Sequence, residues 1–193
     1  MKKTIEDFEE ANIGNLRKKF NDSATKEGFN LTNNLDKKVD IDFTQDIINE
    51  IVLWKVNRYV TINDSEWIKD FNELKYIEDL ETNEKQIRNI LEKMLKTHGI
   101  RLPMASTMLR FRNPKVFQII DERTFRIIFG NNLEMRKKYD AYNVSDRIGA
   151  YFEYLKKLRL DCKKKNIEFS EADRILYQYD IEENKNFTKS KKE

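Results

Sequence analysis

Cysteine and histidine are almost absent from this 193-residue chain, which has Cys162 and His98 as the single example of each. One cysteine cannot close a disulfide within the chain, and it cannot supply an all-cysteine zinc site or a four-cysteine iron–sulfur cluster. A lone histidine also disfavours a histidine-based metal site. The sequence therefore predicts a protein with no cysteine- or histidine-based metal site and no iron–sulfur cluster.

Glycine and proline are also scarce, at five and two residues, whereas lysine, glutamate, asparagine, leucine and isoleucine are abundant. This composition favours helices joined by short loops over a sheet. We therefore expect an all-α chain that forms one domain over residues 1–193. The polar stretch of residues 21–40 predicts a loop, and the charged tail of residues 182–193 predicts a frayed end.

Long apolar runs are the third feature that the chain lacks. No run of about 18 apolar residues occurs, as a membrane-spanning helix would need. The first residues, MKKTIE, also lack the apolar stretch of a signal peptide. We expect a monomeric cytoplasmic protein with no membrane partner.

Charge is unevenly distributed along the chain, although the net charge is only +3. Residues 1–82 contain 12 basic and 18 acidic residues, residues 84–126 contain 10 and 4, and residues 127–193 contain 15 and 12. A local excess of basic residues is typical of surfaces that bind phosphates, whereas a solvated face usually mixes both signs. The middle segment therefore indicates a nucleic-acid partner.

The spacing of apolar residues predicts a series of amphipathic helices, among them a core helix over residues 43–59. Asn83 can cap a later helix, and Gly99 can adopt the left-handed conformation that ends it. Pro103 suits the first turn of the helix that follows. Residues 84–112 are thus predicted to form two helices joined by a tight hairpin.

An aspartate follows this pair of helices at another predicted helix start. Asn113 and Pro114 mark a turn, residues 116–120 are mostly apolar, and Asp121 comes next as a candidate N-cap. The helix dipole and the free backbone N–H groups stabilise a charged carboxylate there. Such an aspartate can simply cap its helix, or it can also take part in chemistry.

Together these residues resemble the signature of the helix-hairpin-helix DNA glycosylases, the superfamily of endonuclease III and 8-oxoguanine glycosylase. The matching motifs are GIRLPMAS at residues 99–106, the dipeptide Asn113-Pro114, and IIDER at residues 119–123. The resemblance implies two helical lobes with a cleft between them. It places the hairpin at residues 84–112 and the catalytic loop at residues 113–126.

Two positions depart from that signature. Arg101 stands where the second hairpin glycine usually lies, and Pro103 stands where the bifunctional members carry their Schiff-base lysine. The resemblance therefore implies a monofunctional glycosylase without lysine-dependent lyase activity, unless Lys55 or Lys96 supplies the amine. It requires no cofactor and is compatible with a structural monovalent cation at the hairpin.

The resemblance also implies roles for individual residues. Asp121 is expected to support the oxocarbenium-like sugar that forms as the glycosidic bond breaks, with Lys55 as a second catalytic group. An extruded base needs aromatic walls, for which the candidates are Trp54, Tyr59 and Trp67; core packing is the alternative for each. The residues expected to contact double-stranded DNA are Lys96, Gly99, Ile100, Arg101, Arg110 and Arg123.

The predicted function is hydrolytic excision of a damaged or modified base, which leaves an abasic site. The activity would serve DNA repair or defence against phage DNA that carries hypermodified bases. Oxidised guanine, alkylated bases and hypermodified cytosines all stay open as substrates. The alternatives are a hairpin module that binds DNA without catalysis and a helical bundle that binds other proteins.

Overall fold

The computed structural model describes residues 3–23, 32–56, 66–97 and 99–184, and these residues form helices and turns without any strand. This confirms the predicted all-α class over the described part of the chain. In chain order the α-helices are α1 (Ile13–Ser23), α2 (Gln45–Val56), α3 (Glu66–Glu73), α4 (Glu84–Lys96), α5 (Leu102–Arg112), α6 (Glu122–Phe129), α7 (Leu133–Tyr139), α8 (Val144–Lys165) and α9 (Ala172–Glu183). Short 3-10 helices occupy Ile5–Asp7, Glu10–Asn12, Leu74–Tyr76 and Phe169–Glu171. None of the helices described is long and apolar enough to cross a membrane.

The long helix α8 lies at the centre of the packing and contacts α4, α5, α6 and α7. Its apolar residues recur at helical spacing, so Tyr151, Leu155 and Leu158 all face the core. Around this centre α9 packs on α1 and α6, α2 packs on α5, and α3 packs on α4. The buried side chains of these helices form one continuous core.

Local signals explain where α4 ends and α5 begins. Gly99 has a φ angle of 85°, a conformation that residues with a side chain rarely adopt, and Pro103 lies in the first turn of α5. Ile100 is buried between the helices, and its N–H donates to the carbonyl of Thr97 at 3.1 Å. A short turn therefore joins α4 and α5; His98, within it, lies outside the described residues.

Residues 32–36 are helical, although their polar composition predicts a loop. Leu35 is fully buried in the core, and the Asp36 carboxylate accepts a hydrogen bond from Arg110 at 2.6 Å. These tertiary contacts outweigh the weak helix propensity of the segment. The remainder of the predicted loop includes residues 24–31, which lie outside the described residues.

The C-terminal end is also more ordered than predicted. Helix α9 continues to Glu183, and the buried Asn184 donates from its side-chain nitrogen to the carbonyl of Lys3 at 3.2 Å. Residues 182–184 are therefore not frayed. Residues 185–193 lie outside the described residues.

The segment of residues 116–120 is buried although it is not helical, so its backbone groups need partners other than water. Helix α8 supplies two of them. The Tyr151 hydroxyl donates to the carbonyl of Gln118 at 3.0 Å, and the Tyr154 hydroxyl donates to the carbonyl of Ile119 at 2.6 Å. Burial raises the pKa of both tyrosines well above the usual value, so both hydroxyls keep the proton that they donate.

Side chains from other elements complete the anchoring of this segment. The hydroxyl of Ser106, in α5, accepts from the N–H of Ile120 at 3.2 Å. The buried side chain of Gln118 donates to the carbonyl of Pro114 at 2.8 Å and accepts from the N–H of Asp173 at 3.2 Å. The residue that follows the segment, Asp121, is thus fixed relative to α5, α8 and α9.

Tyr154→Phe should lower the free energy of unfolding by about 1 kcal/mol. The loss is modest because the Ile119 carbonyl keeps a second donor, the Thr124 hydroxyl, at 3.2 Å. Urea unfolding followed by circular dichroism measures the change. Tyr142→Phe removes a hydroxyl from a fully exposed ring and is the matched control; equal stability of the two variants would contradict the anchoring role of Tyr154.

Candidate functional site

Asp121 is the N-cap of α6, as the sequence predicts. Its Oδ1 atom accepts hydrogen bonds from the N–H groups of Arg123 at 3.0 Å and Thr124 at 2.9 Å. Its own N–H donates to the Thr124 hydroxyl at 2.9 Å, which completes a reciprocal capping box. The cap therefore holds the carboxylate in one orientation.

The second carboxylate oxygen faces a lysine from a distant part of the chain. Nζ of Lys55, in the last turn of α2, lies 3.5 Å from Oδ2 of Asp121, across 66 positions of sequence. The two side chains are 19% and 18% exposed, so water only partly screens their attraction. The structure thus brings together the two residues that the sequence nominates as catalytic.

Arg123, a predicted DNA contact, is engaged inside the protein. Its guanidinium donates to the Asp180 carboxylate at 3.0 Å, and Arg126 donates to the same carboxylate at 2.8 Å. Asp180 is fully buried, and its hydrogen bond raises the pKa of Arg126. The Arg123 side chain is still 28% exposed, so its contact with DNA stays a prediction, although the buried carboxylate already engages it.

Arg110, another predicted DNA contact, is enclosed by the protein, and that prediction is withdrawn. Its side chain is 4% exposed and donates to Asp36 at 2.6 Å and to the carbonyl of Ser170 at 3.1 Å. A guanidinium enclosed in this way cannot reach a phosphate on the surface. Arg110 links α5 to the helical segment of residues 32–36 and to the start of α9.

The other predicted DNA contacts lie on or beside the turn between α4 and α5. Lys96, Gly99 and Arg101 are exposed, whereas the Ile100 side chain is buried and can contribute only its backbone. Lys96 pairs with Glu92 at 2.6 Å. Within the described residues, nothing accepts the N–H groups of Arg101 and Leu102.

The predicted base-pocket aromatics are in different environments. Trp54 is half-buried, packs edge-on against Phe111 at 5.3 Å between ring centres, and donates its N–H to the Thr32 hydroxyl at 2.7 Å. Trp67 is buried against Phe71, and its indole N–H has no partner in the described part of the chain. Tyr59 lies outside the described residues. Trp54 is the aromatic next to Lys55 in sequence.

Two neighbouring grooves run beside the turn. The first, which we call the hairpin groove, has a volume of about 620 Å³ and is lined by residues including Lys96, Arg101, Pro103, Glu122, Tyr142 and Arg147. The second, the helix groove, has a volume of about 850 Å³ and is lined by residues including Lys85, Arg88, Glu92, Lys96, Tyr142 and Asn143. Asp121 does not line the hairpin groove, but the next residue along the chain, Glu122, does.

Tyr142 and Arg147 were not predicted from the sequence as functional residues. The only local signal for Tyr142 is its position as an isolated aromatic in the polar stretch Asp140-Ala141-Tyr142-Asn143. No sequence feature marks Arg147 as functional, because most basic residues on helices simply face solvent. Among the residues that the structure describes, no group of three or more histidine, cysteine or acidic side chains is placed to hold a metal ion.

No protein-family model, curated protein sequence or solved structure is detectably similar to this chain. The resemblance to the helix-hairpin-helix glycosylases therefore stays a prediction from the sequence motifs of residues 99–106, 113–114 and 119–123.

Asp121→Ala should lower the free energy of unfolding by about 1 kcal/mol, because α6 loses its cap. Asp121→Asn should cost much less, since an asparagine oxygen can accept the same two backbone N–H groups. Urea unfolding of both variants tests this difference. Equal destabilisation would mean that the charge opposite Lys55, and not the cap, is what Asp121 contributes to stability.

Proposed function

We propose that this protein is a monofunctional DNA glycosylase of the helix-hairpin-helix type, with Asp121 as the catalytic carboxylate. The observation that carries the proposal is that the two carboxylate oxygens of Asp121 have different partners. Oδ1 is committed to the cap of α6, and Oδ2 faces Lys55 at 3.5 Å in a partly shielded position. A carboxylate fixed in this way suits a reaction whose transition state carries positive charge on the sugar.

The position of Asp121 relative to the turn supports the same proposal. Its neighbour Ile120 is hydrogen-bonded to Ser106, one turn into α5, and Glu122 shares the hairpin groove with Pro103 at the start of α5. In the proposal α4, the turn and α5 form the hairpin that grips the duplex. The N–H groups of Arg101 and Leu102 would donate to a DNA phosphate, and the exposed Lys96 and Arg101 side chains would add charge.

The proposed reaction uses water as the nucleophile. In the proposal the flipped base binds beside Lys55 at the end of α2 and Asp121 at the start of α6. Water attacks C1′ of the deoxyribose, the bond from C1′ to the base nitrogen breaks, and the base leaves with the bonding electrons. Asp121 accepts the proton that the water releases, and the departing base takes up a proton from solvent. Before the reaction, Lys55 is the positive charge nearest to Oδ2 of Asp121. As positive charge develops on the sugar, the sugar takes over that position.

Asp121→Asn should reduce base release about 10²- to 10⁴-fold, because the cap survives while the charge and the proton acceptor are lost. The assay incubates wild-type and variant protein with duplexes that carry oxidised guanine, alkylated bases or hypermodified cytosines. Alkali then converts each abasic site to a strand break, which is counted on a denaturing gel.

Asp146→Asn is the matched control, because it neutralises an exposed acid in the first turn of α8. It should leave base release unchanged. If wild-type protein binds the duplexes and releases no base, Asp121 only caps α6 and the protein is a DNA-binding module without catalysis. If it binds no DNA, the glycosylase proposal fails altogether.

The contact with Asp121 also favours one variant of this function, in which Lys55 is the nucleophile. Its ammonium group would first pass a proton to Asp121; the free amine would then attack C1′ as the base leaves with the bonding electrons, and opening of the sugar ring would give a Schiff base. Borohydride should then trap a covalent complex with DNA that contains an abasic site. Lys55→Met should abolish the complex and Lys96→Met should not; absence of a complex with wild-type protein eliminates the lyase variant and leaves hydrolysis by water.

A further inference from the structure

Tyr142 is the most exposed aromatic side chain among the described residues, with its ring entirely open to solvent. It lies in the loop between α7 and α8 and belongs to the walls of both the hairpin groove and the helix groove. The ring therefore forms a ridge between two depressions of the surface. Single exposed aromatic residues are common in proteins and do not by themselves indicate a binding site. The charged groups and helix ends around Tyr142 therefore have to provide the evidence.

The surroundings of the ridge are positively charged. Lys85, Arg101 and Arg147 line the two grooves, and within the described part of the chain none of them is paired with a carboxylate. The acidic residues of the hairpin groove, Glu122 and Asp140, are both bound to Arg136 at 2.7 Å and 2.5 Å. Arg136 therefore offsets one of these two negative charges, and Glu92 of the helix groove pairs with Lys96, whereas Lys85, Arg101 and Arg147 have no carboxylate partner in the described part of the chain.

Two helices also begin at this place. Helix α5 starts beside the hairpin groove, and the 22-residue helix α8 starts at Val144, which lines both grooves. The positive ends of their dipoles are directed toward the same region of surface. Arg147, in the first turn of α8, has a guanidinium nitrogen 3.5 Å from the carbonyl of Tyr142, which supports the loop that carries the ring.

We propose that Tyr142 stacks on an unpaired nucleobase of bound DNA while the phosphates on either side of that nucleotide lie in the hairpin groove and the helix groove. The inference rests on the proposed function for the identity of the polymer. An aromatic face combined with unpaired cations on both sides fits a nucleotide chain, whose bases stack and whose phosphates alternate with them. A fully paired duplex offers no free base face, so the ridge should favour DNA with an unpaired position.

The test measures binding of the full chain to two duplexes, one fully paired and one with a single unpaired 2-aminopurine. Wild-type protein should bind the second duplex more tightly and should quench the 2-aminopurine fluorescence. Tyr142→Ala should weaken binding to that duplex about ten-fold or more and remove the quenching. Tyr142→Phe retains the ring and should bind within about two-fold of wild type.

Tyr76→Ala is the control, because Tyr76 is another exposed tyrosine, 69% open to solvent, that lines neither groove. It should bind both duplexes as wild type does. If Tyr142→Ala binds and quenches like wild type, the stacking role is overturned whether or not bases are released. Binding that depends on Tyr142 in a protein that releases no base supports the stacking role and rejects the glycosylase, and a wild-type protein that binds neither duplex overturns both.

Discussion

Hydrogen bonds from side-chain hydroxyls to a buried, non-helical stretch of backbone are the interactions on which the candidate site depends. Residues 116–120 have no helix or sheet partner, and backbone groups left unpaired in the core would each cost about 1–3 kcal/mol. Tyr151 and Tyr154 in α8 donate to the carbonyls of Gln118 and Ile119, and Ser106 in α5 accepts from the N–H of Ile120. The N–H groups of residues 116 and 117 donate to the carbonyl of Asn113. Since the segment leads directly into α6, the same bonds determine where that helix starts and where its capping carboxylate stands.

Hydrogen-bond partners within the protein account for much of the basic excess in residues 84–126. Asp180 engages Arg123 and Arg126, and Asp36 engages Arg110, while the guanidinium of Arg112 donates to the carbonyls of Val39 and Ile41. These arginines join helices to one another instead of charging the surface. The basic residues of this segment that are classed as exposed are Lys85 and Lys96 on α4, Arg101 in the turn that follows it, and Lys115 after α5. Net charge along the chain therefore overstated how many cations of this segment are free at the surface.

Features set by neighbouring residues were predictable from the sequence. Periodicity predicted the core helix α2, Gly99 and Pro103 predicted the turn, and the run before Asp121 predicted its cap. Each of these depends on a few consecutive residues, because helix faces, left-handed caps and N-caps are local.

Features set by contacts between distant residues were not predictable. The burial of Leu35 makes residues 32–36 helical, and the partners of Arg110 and Arg123 come from elements far along the chain. The exposure of Tyr142 likewise depends on how α7 and α8 meet. The contact between Lys55 and Asp121 is the extreme case: each residue could be nominated separately, but only the packing of α2 on α5 explains their proximity.

The arrangement at Asp121 also explains how a capping residue can serve two purposes without conflict. A carboxylate has two oxygens, and two hydrogen bonds to Oδ1, from the N–H groups of Arg123 and Thr124, prevent the group from rotating. Oδ2 therefore keeps a fixed direction, with Lys55 as its counterion. Electrostatic catalysis is most effective when the stabilising charge does not have to reorganise as the reaction proceeds. A helix cap supplies that rigidity as part of the fold, so stability and the proposed chemistry both require the same side chain in the same orientation.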